Sequence, residues 1–176
     1  IGAMSYGYNY LFSGLPLAPL ESDMKGFGQE SRHFGLAPSI QVQFPIFQQT
    51  VLNLQGKAEN PSLLKGDAMD QIDLLSQVEG QGKSMTFRDI CLFRLMLAYV
   101  FRDVDAAKQM LDALSTFPTL NPSITRSHLR QAFTGLWAFT LSRQTGKKKY
   151  EKLARSALKY FKVAVKKGSL NAYPIY

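Results

Sequence analysis

The 176-residue sequence contains one cysteine, Cys91, and two histidines, His33 and His128. A single cysteine excludes an internal disulfide and fits a reducing compartment, so we expect an intracellular, cytoplasmic protein. The two histidines are far apart in sequence, and neither has a partner at the spacing of metal ligands. The sequence therefore predicts neither a zinc site nor a catalytic dyad.

Long hydrophobic runs are also missing. The longest, residues 90–101, is interrupted by Arg94 and is shorter than the roughly 20 residues that a transmembrane helix needs. We therefore predict a buried helix there, with Cys91 as a small core residue. No basic segment precedes an apolar run near the N-terminus, so no signal peptide is predicted. Convincing strand patterns are absent, and 45% hydrophobic with 19% charged residues indicates a globular, all-α chain.

No motif amounts to a catalytic site. Gly82-Lys83-Ser84 resembles the end of a phosphate-binding loop, but the first glycine of that pattern is replaced by Gln77 and no strand precedes it. A flexible loop between helices is the favoured interpretation. Asp67, Asp70 and Asp73 recur every three residues, yet helix N-termini attract acidic residues and no calcium-type loop follows. We therefore predict a non-enzymatic protein without a cofactor.

Apolar periodicity predicts short antiparallel helix pairs in one helical-repeat region, residues 1–176. Its parts are N-terminal helices in 1–56, a connector with a short helix in 57–85, and helix pairs in 86–176. We expect Gly26 and Gly28 to weaken a helix beginning near Pro19, and Pro45 to kink a helix over 37–55. Thr86 is predicted to cap a helix ending at residue 101, after a loop over 80–84.

The remaining helices are predicted at 103–117, 125–145 and 147–167, with Pro118 and Pro122 ending the first of them. In helix 125–145 we expect one apolar face and an aromatic core, comprising Leu129, Ala132, Phe133, Leu136, Trp137, Phe139 and Leu141. Phe101–Ala107 resembles the turn between the two helices of a tetratricopeptide repeat, with Ala107 at the small crossing position. These features predict an α-solenoid, and an irregular helical bundle is the alternative. Since the chain opens at Ile1 and stops after a loop, we expect a fragment of a longer array.

Positive charge is concentrated near the C-terminus. Residues 143–167 contain ten Lys or Arg and one acid, Glu151, a net charge of 10 − 1 = +9, whereas the whole chain has +8. Helix 147–167 is amphipathic, with Tyr150, Ala157, Leu158 and Phe161 on its apolar face. Gly168 is placed to form its left-handed C-cap. The opposite face carries the candidate interaction residues Lys148, Lys152, Arg155, Lys159, Lys162 and Lys166.

This basic face has two interpretations. It can be the solvated outer surface of a packed helix, or it can bind anionic lipid, a calmodulin-like partner or an acidic protein surface. Nucleic acid is the weakest alternative, because no arginine-rich groove motif or aromatic–basic interleaving accompanies the charge.

Four sequence blocks are similar to a helical region of very large multidomain signalling proteins from unicellular algae. They are residues 14–21 (GLPLAPLE), 44–54 (FPIFQQTVLNL), 64–71 (LKGDAMDQ) and 135–150 (GLWAFTLSRQTGKKKY). In that family the helical region follows a P-loop ATPase domain of the STAND or origin-recognition type, and kinase or cyclase domains are often attached. The resemblance implies a scaffold or sensor arm that contacts protein partners or adjacent domains of its own chain. It implies no catalytic residue within these 176 residues.

Overall fold

A computed structural model describes residues 2–77, 80–115 and 124–169. These residues form nine α-helices and no strand, which confirms the all-α prediction. The helices are α1 Gly2–Phe12, α2 Leu17–His33, α3 Pro38–Gln41, α4 Gln43–Leu54, α5 Gln71–Gln77, α6 Gly80–Phe101, α7 Val104–Ser115, α8 Ile124–Thr145 and α9 Lys148–Lys166. The predicted helix-ending prolines Pro118 and Pro122 lie outside the described residues. The chain divides into two compact units, residues 1–97 and 98–176, so the boundary falls inside α6.

In the first unit, glycines let the helices approach closely. A Cβ on Gly28 of α2 would lie 3.2 Å from the Cβ of Phe44 in α4. A Cβ on Gly7 of α1 would lie 3.1 Å from the Met24 side chain and 3.2 Å from that of Phe47. Glycine lowers helix propensity by about 1 kcal/mol, but α2 runs through both of its glycines unbroken. The close contacts that Gly7 and Gly28 permit offset that cost.

Three buried aromatic rings of this unit contact one another. Tyr8, Phe47 and Phe93 are buried, with ring centroids 5.4 to 5.9 Å apart. Such offset and edge-to-face pairs stabilise a core beyond the area that they bury. Cys91 is fully buried in the same helix as Phe93, which confirms its prediction as a core residue.

The connector between α4 and α5 has almost no regular structure, and buried amides of α4 hold it in place. The Asn53 side chain donates hydrogen bonds to the carbonyl oxygens of Pro61 (3.0 Å) and Leu63 (2.7 Å). The Gln49 side chain donates to Asn53 (2.8 Å), and its Oε1 accepts from the backbone N–H of Ala68 (3.0 Å). Backbone polar groups that would otherwise be buried without partners are satisfied in this way.

Three local predictions are wrong. The break in segment 37–55 falls at Val42, between α3 and α4, and not at Pro45. Pro45 lies in the first turn of α4, where its missing N–H costs no helical hydrogen bond. The predicted loop over residues 80–84 is helical, and Thr86 lies inside α6 and does not cap it. Helix propagation adds one hydrogen bond per residue, so a stable apolar helix can extend through a segment that contains two glycines.

The turn that resembles a tetratricopeptide repeat lies in the second unit, directly after α6. α6 ends at Phe101, Arg102 adopts a positive φ of 58°, and Asp103 accepts a hydrogen bond from the Ala106 N–H at 2.9 Å. This bond caps α7, which packs Ala107 into the core. The solenoid arrangement itself stays a prediction.

α8 and α9 form a helical hairpin. Gly146 at the turn has φ +65°, and Gly168 ends α9 with φ +81°. The N–H of Gly168 donates to Val165 and that of Ser169 donates to Ala164, the two bonds of a Schellman motif. The predicted left-handed C-cap of the basic helix is therefore confirmed.

Candidate binding groove and basic face

As the amphipathic pattern predicts, the charged residues of α9 are exposed. Tyr150, Ala157 and Phe161 are buried against the rest of the unit. The six candidate residues, Lys148, Lys152, Arg155, Lys159, Lys162 and Lys166, are all exposed. Their side chains form a cationic surface, which we call the basic face. Its role in binding stays a prediction.

Few of these charges are engaged by acids in the described structure. Arg155 donates to Glu151 through Nε at 3.1 Å and through a terminal nitrogen at 2.7 Å. Just beside the basic face, Lys149 pairs with Asp112 at 2.8 Å, and this hydrogen bond raises the pKa of the lysine. Exposed pairs of this kind contribute little to stability. They leave the hairpin strongly cationic.

An apolar groove lies between α8 and α9, and sequence reasoning missed it. Its volume is about 580 Å³, within the roughly 300–1,000 Å³ range of ligand pockets. The residues that line it are Gln131, Ala132, Gly135, Leu136, Phe139, Ser142 and Arg143 of α8, and Glu151, Ala154, Arg155, Ala157, Leu158 and Phe161 of α9. Most of this lining is hydrophobic.

Several apolar residues predicted to face the core instead form the walls of this groove. The exposed fractions are 44% for Leu136, 58% for Phe139 and 57% for Leu158. By contrast, Trp137 and Leu141 are buried as predicted. A two-helix hairpin covers only part of the apolar circumference of each helix. The side chains at the edge of the contact therefore remain open to solvent.

The floor of the groove is a close helix contact. A Cβ added to Gly135 would lie 3.0 Å from the Cβ of Ala157, tighter than ordinary van der Waals contact. Ala157 and Phe161 are buried below the exposed walls. The signal that could have located this contact is a glycine in the middle of a long helix facing an alanine in the next helix.

His128 has a structural environment that the sequence did not indicate. Its Nε2 lies 3.0 Å from the hydroxyl of Ser169, and its Nδ1 lies 3.3 Å from the hydroxyl of Tyr160. The imidazole is buried and also meets the Phe161 ring edge-to-face. These contacts tie α8 to the end of α9. His33 belongs to the first unit and is exposed beside Phe34.

Of the acidic residues weighed in the sequence, Asp67 and Asp70 lie in the connector and Asp73 lies in the first turn of α5. Asp70 accepts a hydrogen bond from the Ile72 N–H at 2.8 Å and pairs with Lys65 at 3.1 Å. The backbone bond and then the lysine lower the pKa of Asp70. Within the described ranges, no three side chains of His, Cys, Asp or Glu gather as metal ligands would. Burial raises the pKa of the Cys91 thiol to about 12.

Comparisons of the chain with protein families, with curated proteins and with solved structures found no match. Across residues 2–77, 80–115 and 124–169, none of the helices combines the length and the apolar character required to cross a bilayer.

Proposed function

We propose that this chain is a non-enzymatic helical scaffold or sensor module, of α-solenoid type, that makes protein–protein or intramolecular contacts. The observation that carries the proposal is the open groove on the α8–α9 hairpin, where Leu136, Phe139 and Leu158 are exposed together. Exposed apolar patches that are bordered by polar residues mark interaction sites in many proteins. We place the module inside the cell, in the cytoplasm, on the basis of its single cysteine.

A second candidate function is binding of a polyanion or a membrane surface. The observation that favours it is the basic face, whose six cations are all exposed on α9. Binding through such a surface weakens steeply as salt screens the charges.

One experiment separates these two functions. It compares the wild-type protein with the Lys152→Glu/Lys159→Glu/Lys166→Glu variant for binding to heparin, to anionic vesicles and to a random peptide library. For a scaffold we expect enrichment of peptides with a common pattern, and weak binding to heparin and vesicles. Tight, salt-sensitive heparin or vesicle binding that the charge reversal abolishes, without any enriched peptide, would overturn the scaffold function.

We further propose that the module belongs to a large signalling ATPase and biases its P-loop domain. The support is the resemblance of the four sequence blocks. The test is to sequence the transcript that encodes this chain. The same reading frame should encode a phosphate-binding loop. A complete frame without one would overturn the ATPase association and leave the scaffold function standing.

A further inference from the structure

The groove between α8 and α9 runs along both helices. Its lining extends from Gln131 to Arg143 on α8 and from Glu151 to Phe161 on α9. At a rise of 1.5 Å per residue, these twelve and ten residue steps span about 18 Å and about 15 Å. An occupant that fills the groove must therefore be elongated, with apolar groups repeated along one side.

The shape of the groove favours an α-helix as that occupant. Gly135 and Ala157 form a low floor, and the partly exposed Phe139 and Leu158 stand above it. A helix presents a ridge of side chains at positions i, i+3, i+4 and i+7, and such a ridge fits into an apolar groove of about this length. A flat bilayer surface would leave the floor of the groove uncovered, so the concave shape disfavours lipid.

The positive charge of the α8–α9 hairpin favours an acidic partner helix. From residue 124 to residue 166 the chain has eleven Lys or Arg and one acid, a net charge of 11 − 1 = +10. The acid is Glu151, which Arg155 already engages at 2.7 Å. At the other side of the groove, the Arg143 guanidinium lies 5.8 Å from the centroid of the Phe139 ring. An occupant flanked by carboxylates would complement this field, and a cationic one would be repelled.

We infer that the α8–α9 groove binds an acidic amphipathic helix of a partner protein, with three to four apolar anchors along one side. This inference depends on the proposed scaffold function, because it names the partner class and the surface. The apolar anchors cover the exposed walls of the groove. The flanking carboxylates approach Arg143 and Arg155.

The probe is a designed helical peptide with leucines at i, i+4, i+7 and i+11 and glutamates on its other faces. Fluorescence anisotropy measures its affinity for the full chain. A scrambled peptide of equal composition tests the apolar side, and a peptide with lysine in place of glutamate tests the charge. We expect binding of the designed peptide alone, with an affinity that falls as salt rises from about 0.05 M to about 0.5 M.

Matched variants locate the binding surface. Phe139→Ser and Leu158→Ser remove exposed walls of the groove, and we expect each to weaken peptide binding by about tenfold. Val163→Ser is the control, because Val163 is 44% exposed on the same helix and does not line the groove. Arg143→Gln should weaken binding more than Lys159→Gln, since Arg143 lines the groove and Lys159 does not.

Each alternative occupant has its own outcome. Equal binding of the designed and scrambled peptides, or no effect of Phe139→Ser and Leu158→Ser, would overturn the inference. Displacement of the peptide by anionic vesicles with higher affinity would assign the surface to lipid. Concentration-dependent dimerisation that Leu158→Ser abolishes would assign it to a second copy of the chain.

The results that would overturn the proposed scaffold function differ from those that would overturn the groove assignment. Library peptides that bind the protein but ignore the groove variants would leave the scaffold function standing and would overturn only the groove assignment. A library that yields no binding peptide would overturn both.

Discussion

The close contact between Gly135 and Ala157 permits a quantitative prediction for the α8–α9 hairpin. Replacing Gly135 with alanine raises helix propensity by about 1 kcal/mol. The added methyl group, however, would lie 3.0 Å from the Cβ of Ala157. Overpacking of this kind costs about 1–3 kcal/mol. We therefore expect Gly135→Ala to lower the free energy of unfolding by about 0–2 kcal/mol.

The double variant isolates the steric part of this effect. Ala157→Gly alone should destabilise by about 2 kcal/mol, because it loses propensity and a buried methyl group. In Gly135→Ala/Ala157→Gly the methyl moves from one helix to the other, and the propensity changes cancel. We expect this variant to lie within about 1 kcal/mol of the wild type, whereas the single effects add to about 2–4 kcal/mol.

The assay is urea unfolding followed by fluorescence. Trp137 is the only tryptophan, and it is buried in α8, so its emission reports on the hairpin. Gly26→Ala, followed by circular dichroism, is the reference for propensity alone, because a Cβ there would meet nothing within 4 Å. It should stabilise by about 1 kcal/mol. If the effects of Gly135→Ala and Ala157→Gly sum to that of the double variant within about 0.5 kcal/mol, the predicted contact is refuted.

Three further predictions concern the first unit. Asn53→Ala should destabilise by about 2–4 kcal/mol in urea unfolding, because it leaves connector carbonyl groups buried without donors, and an effect below about 1 kcal/mol would contradict the hydrogen-bond assignment. Cys91 should resist alkylation at about pH 8 until the protein unfolds, since its pKa of about 12 keeps the thiol protonated, and rapid native-state labelling would contradict its burial. The Asp23 carboxylate accepts a hydrogen bond from Tyr6 and raises the Tyr6 pKa to about 12. Because this pKa is higher in the folded state than in the unfolded state, the hydrogen bond should stabilise the fold fully below about pH 10 and lose its effect towards pH 12. Tyr6→Phe should remove this pH dependence in a thermal unfolding series.

Periodicity was enough to predict most of the helices but not their exact limits. α9 lies within one residue of the predicted range at each end, because Gly146 and Gly168 mark both ends and the charge pattern repeats regularly between them. α6 begins six residues earlier than predicted, because the helix of the following apolar segment extends through the two glycines in residues 80–84. Local propensity therefore predicts the end of a helix where a glycine terminates it. It misses the end where the stability of a neighbouring segment determines how far the helix extends.

The connector could not have been predicted in detail. Its position depends on backbone N–H groups of the connector that donate to Gln49 and on backbone carbonyl groups that accept from Asn53, between eight and twenty residues away. Two amides at i and i+4 on a helix usually face solvent, and nothing in their spacing indicates that both are fully buried here. Burial of such residues depends on the tertiary fold, which a pattern of local periodicity does not contain.

The basic face could be predicted from the sequence, and the groove could not. The six cations could be placed on one face from their spacing alone, because charged side chains avoid burial. The groove depends on which part of each apolar face the partner helix leaves open, and that is set by the crossing at Gly135 and Ala157. Phe139 and Leu136 were consequently predicted as core residues and are exposed walls.

The division between an exposed wall and a buried floor has a consequence for function. Leu158 is 57% exposed, so its replacement by serine should weaken partner binding with little change in stability. A methyl group on Gly135 lies in the buried floor and should change both quantities, because it displaces α9 and makes the groove shallower. Peptide affinity and the free energy of unfolding are therefore measured for both variants. In a docking groove, Leu158→Ser lowers the affinity without lowering the stability. On an apolar surface that contributes only to packing, neither variant changes the affinity by itself.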